Sequence, residues 1–350
     1  MLKLKVKEKI LVKTNINILA IESSCDETSM AVVRNGREVV SLVISSQIDI
    51  HKLYGGVVPE IASRNHVLSL NSVFEETLLK ANMTMEDIDA IAVTYGAGLM
   101  GALIVGVNFA KGLAYSYEKP LIKVNHIEGH IAANYISHKD LTPPFACLIV
   151  SGGHTALVKM EDYTTRKLYG STTDDAVGEC FDKVARELGL EYPGGPNVQR
   201  CASNGVADIK FITKPHEKHK DYNFSYSGLK TAVINYLHNK RQKNEEININ
   251  NVCASFQKEA VDQLVDKSIF LLNQEKLGKI VISGGVSANK ALREEMTKQA
   301  EKIGAKVYYP ELVLCTDNAA MIGSAGYYNF IAGKNIVDPI DLKAECQIAL

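Results

Sequence analysis

The apolar positions along this chain change rhythm repeatedly, and each change predicts an element. Asn17 to Ile21 is an apolar run that reads as a strand and leads into Glu22-Ser23-Ser24-Cys25-Asp26-Glu27-Thr28. Ser29 to Val33 and Arg37 to Ile44 read as two further strands, with Asn35-Gly36 between them as a hairpin turn. Ser63 to Ala81 has helical spacing, and Ile88 to Thr94 is a strand. Gly96-Ala97-Gly98-Leu99-Met100-Gly101 then turns into a helix through Tyr115. Pro120 to Val124 reads as a strand end. The paired prolines of Leu141-Thr142-Pro143-Pro144 mark a linker, because proline interrupts regular structure.

After the linker the scheme restarts. Phe145 to Val150 is a buried strand followed by Ser151-Gly152-Gly153-His154-Thr155. Lys279 to Ile282 is another, followed by Ser283-Gly284-Gly285-Val286-Ser287-Ala288-Asn289 and a helix through Ala300. Thr316 to Ala332 reads as a small-residue helix that packs back on the first half. The expectation is an α/β chain of two lobes with the actin-like architecture shared by sugar kinases, Hsp70 and actin. Residues 1–17 form a basic N-terminal extension, 18–141 the first lobe and 142–317 the second lobe with the nucleotide and substrate turns. A C-terminal helix over 318–350 returns to the first lobe.

Composition narrows the class. A hydrophobic share of 46% with 23% charged residues over 350 positions is that of a globular protein. No apolar run reaches the ~20 residues a membrane span needs. Met1 to Lys13 alternates Leu, Val or Ile with Lys and lacks the apolar core of a secretory signal. Seven cysteines stand singly at 25, 147, 180, 201, 253, 315 and 346, without metal-binding or disulfide spacing, which points to a reducing cytoplasm. A net charge of −1 gives no global attraction to nucleic acid, so an RNA partner would need local patches.

The chemistry concentrates in His126-Ile127-Glu128-Gly129-His130. Two imidazoles four residues apart share one helix face and can hold one metal ion. Glu128 is displaced by one position from the zinc-protease pattern and points roughly 200° away from both histidines, so it is badly placed as base on metal-bound water. Asp317, ahead of the last helix, is either an N-cap or the carboxylate of a two-His, one-carboxylate set. The glycine turns allow backbone N–H groups to approach phosphate oxygens, and Gly96 to Gly101 would be a third such turn. Neither a P-loop nor a dinucleotide fingerprint is present.

Asp175, Glu179 and Asp182, spaced four and three apart in Thr173 to Lys183, predict an acidic helix face. Gly194-Gly195-Pro196-Asn197 reads as a turn. Lys210, Lys214, His216, Lys218, His219 and Lys220 precede Tyr222, Phe224 and Tyr226, an interleaving that is either a solvated loop or an RNA-contacting one. Of the rival readings, the displaced Glu128 and the surrounding glycine turns argue against a metallopeptidase. The two-His set argues against a phosphoryl-transfer ATPase or kinase, since Mg(II) prefers oxygen ligands; a nucleotide-switched scaffold stays open.

Read together and in order, the motifs resemble the bacterial tRNA N6-adenosine threonylcarbamoyltransferase family, also known under the older label O-sialoglycoprotein endopeptidase. The similarity runs over nearly all of Ile18 to Phe330. It rests on Ile21 to Thr28, Tyr54 to Glu60, His126 to His130, Val150 to Thr155, Phe181-Asp182-Lys183, Tyr192 to Pro196, Phe224 to Thr231, Ser283 to Asn289 and Thr316 to Met321. The resemblance implies the actin-like fold and one divalent metal on His126, His130 and Asp317, Fe(II) first and Zn(II) as alternative. It implies substrate binding by Ile149, Val150, Ser151, Gly152, Gly153, Asp182, Gly195 and Asn289.

The implied reaction moves threonylcarbamoyl from threonylcarbamoyl-AMP to N6 of the adenosine at tRNA position 37, releasing AMP, for tRNAs reading codons that begin with adenine. The implied partners are tRNA, a separate synthase that supplies the adenylate, and helper subunits: an inactive paralogue of the same fold and a small P-loop ATPase. No membrane is involved. Two departures are the extension ahead of Ile18 and Gln199-Arg200 after the Gly-Gly-Pro turn.

Overall fold

The computed structural model describes residues 13–212 and 221–348. The first alternating run forms β1 (Asn17–Glu22), β2 (Glu27–Arg34) and β3 (Glu38–Ser46), an antiparallel meander closed by Asn35 and Gly36, both at positive φ. A short α1 (Ile48–Lys52) leads to α2 (Pro59–Ala81), which starts with proline in its first turn and ends at left-handed Asn82. β4 (Ala90–Gly96), α3 (Met100–Ser116), β5 (Leu121–Asn125) and α4 (His126–Ser137) follow. β4 pairs in parallel with both β1 and β5. β1 and β4 are buried on both faces, as continuous apolar runs predict for central strands.

Beyond Pro143-Pro144 a second compact unit, Pro143–Tyr309, has its own core. β6 (Phe145–Val150), β7 (Thr155–Met160) and β8 (Arg166–Ser171) form an antiparallel meander. The helices are α5 (Val177–Glu187), α6 (Gly194–Ala202), α7 (Ser227–Gln242) and α8 (Ile249–Glu275). β9 (Lys279–Ser283) pairs in parallel with β6; α9 (Lys290–Glu301) and β10 (Lys306–Tyr308) complete the unit, with sheet order β10-β9-β6-β7-β8. Because β6 and β9 are neighbours, the two Ser-Gly-Gly turns end side by side. A Cβ on Gly284, which sits at φ +89, would lie 2.5 Å from the Val150 carbonyl oxygen.

From Pro310 the chain belongs to the first unit again, ahead of Asp317 instead of after it. α10 (Ala319–Ile331) lies against β1, β2, β4, β5 and α4. The predicted helix over 318–350 is shorter: it ends at Ile331, is followed by Gly333 at positive φ, and continues as β11 (Ile336–Val337) beside β5. Small residues let α10 approach closely. A Cβ on Gly323 would meet Val33 at 2.5 Å, one on Gly326 would meet Ala92 at 2.5 Å, and one on Gly129 would meet Ile322 at 2.6 Å. The first sheet has the order β11-β5-β4-β1-β2-β3.

Several expectations change. Asp174 and Asp175 precede α5, so Asp175 does not share a helix face with Glu179 and Asp182. Asp175 instead binds Lys183 at 3.0 Å and Lys230 at 2.5 Å, while Asp174 accepts from Ser225, Ser227 and the Tyr226 amide at the start of α7. Gly194 to Asn197 is the first turn of α6, not a loop. Phe224 and Tyr226 are fully buried in the second unit, which removes them as RNA-stacking rings, and Tyr222 packs on Tyr169 and Phe270. Lys214, His216, Lys218, His219 and Lys220 lie outside the described residues, as does most of the N-terminal extension. Gln199 accepts from the Lys290 amide at 2.7 Å, tying α6 to the start of α9. Among the described residues no helix is long and apolar enough to cross a membrane.

Candidate functional site

β5 delivers the histidine pair. Asn125 caps α4 by accepting from the Ile127 amide at 2.8 Å, which makes His126 the first helical residue and puts His130 one turn later. Both imidazoles are buried. Their Nε2 atoms converge on one carboxylate oxygen, Asp317 Oδ1, at 3.3 Å from His126 and 3.2 Å from His130. The ring planes stand 80° apart. Asp317 is not the cap of α10. That role falls to Asn318, whose side chain accepts from the Met321 amide at 3.0 Å. The Asp317 carboxylate is therefore left to face the histidines, and the close approach of α10 to α4 through Gly129 carries it there.

The donor set fits a cation. One ligand atom from each of His126, His130 and Asp317 lies within 4.8 Å of the others. Ligands at about 2.0–2.2 Å from a tetrahedral or octahedral ion are about 3.0–3.5 Å apart, which matches both histidine–carboxylate separations. Imidazole nitrogen with carboxylate oxygen suits Zn(II) or Fe(II) and not Mg(II), which prefers oxygen alone. Glu128, two residues on from His126, is not in the cluster.

The electrostatics favour positive charge at this point. Burial alone would lower the His126 pKa, but the Asp317 and Glu22 carboxylates outweigh it and hold the value well above 6.5. Asp317 is correspondingly held far below the usual carboxylate range: burial pushes it up, and His126 and His130 more than reverse that. Glu22 is lowered as well, with His126 overcoming burial. Glu27, buried beside Asp26 and in the field of Asp317, is pushed up to about 9. Burial, with Asp317 and Asp26 nearby, also drives the Cys25 thiol strongly upward, so it offers no thiolate ligand.

In the second unit the turns expected to bind substrate are assembled from β6, α5, α6 and the segment after β9. Ile149 and Val150 are fully buried inside β6 and set the place of the turn that follows. Ser151 Oγ accepts from the His154 amide at 3.1 Å, and its carbonyl accepts from Gly178 at the start of α5 at 3.3 Å. Gly152 and Gly153 are exposed, open space surrounds the position of a Cβ on each, and among the described residues their amides have no acceptor. Two free N–H groups on such a turn make an anion cradle.

Asp182 Oδ1 accepts from the Gly194 amide at 2.7 Å. Burial raises its pKa against the Gly194 and Gly195 amides. Gly195 itself faces open space. Asn289 is buried and occupied at both ends, donating to Gln257 at 2.9 Å and capping α9 through the Leu292 amide at 3.0 Å.

Sequence spacing points to the histidine pair and leaves Asp317 open as cap or ligand, and the residues behind them are missed. Ser24 Oγ and Glu22 Oε2 both lie 3.1 Å from His126 Nδ1, and Thr94 donates to Glu22. The available signal is a carboxylate, Glu22, closing the apolar run Ile18 to Ile21 of a central strand. The Gly96–Gly101 turn belongs to the first unit and is covered by the C-terminal segment, where Glu345 donates to the Tyr95 carbonyl and Gly98 to that of Cys346.

Comparison with known proteins places this arrangement. Residues 38–324 match the family model described as TsaD: tRNA N6-adenosine threonylcarbamoyltransferase. A protein of that name from Clostridium perfringens (strain 13 / Type A) is 57% identical over 333 residues, covering 95% of this chain and 98% of the relative. One from Clostridium botulinum (strain Kyoto / Type A2) is 55% identical over 323 residues, covering 92% and 95%. Among solved structures, T. kodakarensis HypF superposes with a TM-score of 0.64 at 13% identity, over 91% of this chain and 48% of that one. The Acidaminococcus fermentans (R)-2-hydroxyglutaryl-CoA dehydratase component A gives 0.56 at 13%, over 90% and 99%. These likenesses carry the actin-like ATPase fold expected from the motif order. With the family model spanning most of its length and relatives identical at more than half of the aligned positions, the chain belongs to the tRNA N6-adenosine threonylcarbamoyltransferase family, a family of transferases.

Proposed function

We propose that this chain transfers the threonylcarbamoyl group of threonylcarbamoyl-AMP to the N6 amine of adenosine 37, in tRNAs reading codons that begin with adenine, and releases AMP. The observation that carries the proposal is the convergence of His126 and His130 on Asp317 Oδ1 at 3.3 and 3.2 Å, in a chain of this family. Two histidines and one carboxylate leave positions open for a substrate, the set that suits Fe(II), with Zn(II) as the alternative.

A bound divalent ion supplies Lewis acidity to a carbamoyl carbon that its own nitrogen deactivates. The chain's residues do the rest. The free Gly152 and Gly153 amides hold the phosphate of the adenylate, so that charge on the departing AMP meets donors already in place. Ile149 and Val150 fix that turn within the sheet, and Ser151 closes it through His154. Asp182 and the open Gly195 hold the ribose, and the segment ending at Asn289 holds the adenosine half. Held in this way, the AMP leaves from a fixed position.

We assign the adenylate to a separate synthase, and place an inactive paralogue of the same fold and a small P-loop ATPase as helper subunits in the cytoplasm. Seven free cysteines fit a reducing compartment. The test mixes purified protein with unmodified tRNA, threonylcarbamoyl-AMP and the helper proteins, then analyses tRNA nucleosides by mass spectrometry. N6-threonylcarbamoyladenosine should form with the wild type and not with His126→Ala. Peptide cleavage, or ATP consumption without nucleoside product, would reject the proposal.

A further inference from the structure

Glu22 closes β1 with no exposed surface. Its Oε1 accepts from the Ser24 amide at 2.5 Å, and its Oε2 accepts from Thr94 Oγ1 at 2.5 Å and faces His126 Nδ1 at 3.1 Å. Thr94 lies on β4, the strand beside β1, so the carboxylate is held from two central strands and directed at the first residue of α4. Among the described residues His126 is the only cationic partner in ion-pair reach of Glu22. A buried carboxylate without a lysine or arginine is unfavourable unless charge reaches it some other way.

A metal-bound imidazole supplies that charge. When Nε2 gives its lone pair to a cation, Nδ1 must carry the proton and needs an acceptor. Ionised Glu22 can only accept, whereas the Ser24 hydroxyl at 3.1 Å could accept or donate and so selects no tautomer. His130 is different: its Nδ1 is buried with no hydrogen-bond partner among the described residues.

We propose that Glu22, braced by Thr94, is the positioning residue that fixes the ring orientation and Nδ1–H tautomer of His126, making it the anchored ligand and His130 the adjustable one. The inference rests on the assignment of His126, His130 and Asp317 as a metal centre. Orienting carboxylates of this kind are worth about 10–100-fold in metal affinity.

Co(II) is the probe, added to chelator-stripped full-length protein, with affinity read by chelator competition and geometry by the visible absorption of the bound ion. The variants are Glu22→Gln, Thr94→Val and His130→Ala, each checked for folding by circular dichroism and melting. Glu22→Gln keeps the shape but can present either an amide oxygen or an N–H to Nδ1. It should weaken Co(II) about 10–100-fold and change the absorption bands while the fold holds. Thr94→Val, which removes one brace and keeps the volume, should move both readouts the same way by less, and it decides the matter if Glu22→Gln does not fold. In wild type loaded with Zn(II), both ligand rings should carry Nδ1–H, but the one hydrogen-bonded to Glu22 should show the more downfield and more slowly exchanging proton, and that difference should be lost in Glu22→Gln. Wild-type affinity and spectrum in both Glu22→Gln and Thr94→Val, with binding abolished in His130→Ala, would overturn the role of Glu22 and leave the metal centre standing. Absence of Co(II) binding by the wild type, or full binding by His130→Ala, would overturn the metal centre and the inference with it.

Discussion

Asp317 and Asn318 are adjacent, yet the structure gives them separable jobs, and two single substitutions should pull these apart. Asn318 caps α10 through the Met321 amide at 3.0 Å and also donates to the Thr316 carbonyl at 2.8 Å, with its side chain fully buried. Asn318→Ala should therefore cost about 1–2 kcal/mol of stability, as loss of a well-formed cap does. Asp317 makes no cap bond; its Oδ1 serves His126 and His130 alone. Asp317→Asn keeps shape and cap, and loss of the partly buried carboxylate's desolvation cost offsets loss of its ion pairing. Metal affinity is another matter, because a neutral amide is a poor ligand. Removing a direct ligand should exceed the loss from an orienting neighbour, so the decrease should be more than about 100-fold, or about 2.8 kcal/mol. Thermal or urea melting of metal-free protein gives the first quantity, and Zn(II) titration against a competing chelator the second. Wild-type metal affinity in Asp317→Asn would refute the assignment. So would an Asn318→Ala variant that loses metal as fully as Asp317→Asn does.

Because Asp317 and Glu22 raise the His126 pKa against burial, the metal-free protein holds a stabilising proton there. That contribution is fully present below about pH 6.5, the unfolded value, and is lost as pH rises through the elevated folded value. Melting temperatures of metal-free protein should therefore fall on the alkaline side of that point, and the apparent Zn(II) affinity should climb across the same range as the competing proton leaves; a metal affinity independent of pH would contradict this. The paired glycines separate packing from binding. A Cβ at Gly194 would come within 2.9 Å of Asp182 Oδ1 and 2.7 Å of the Ala185 Cβ, whereas one at Gly195 meets nothing within 4 Å. Gly194→Ala should lower the melting temperature, and Gly195→Ala should fold as the wild type but bind AMP more weakly by calorimetry. Unchanged AMP binding in Gly195→Ala would remove it from the ribose site.

Local regularities carry much of this protein. The apolar run Pro120 to Val124 followed by two histidines four apart is enough to predict a strand feeding a helix, because the i, i+4 spacing puts His130 over His126 whatever the rest of the chain does. The Asn35-Gly36 hairpin and the two strand–Ser-Gly-Gly turns are legible for the same reason: their geometry is set within a few residues. Motif order over most of the length then narrows the family.

Contacts between distant segments are not periodic, and there the sequence misleads or is silent. Asp175, Glu179 and Asp182 keep helical spacing, but Asp174 and Asp175 lie ahead of the helix, held by the start of α7 and by Lys183 and Lys230. Phe224 and Tyr226 follow a lysine run as RNA-binding rings would, yet burying such large apolar groups outweighs local charge pattern, and both enter the core. The sequence allowed Asp317 to be cap or ligand. Only the packing of α10 on α4, through Gly129, Gly323 and Gly326, gives the cap to Asn318 and turns the Asp317 carboxylate to histidines almost two hundred residues earlier in the chain. Glu22 behind His126 is visible only once β1, β4 and α4 are side by side, because hydrogen bonds across such separations leave no mark on local spacing.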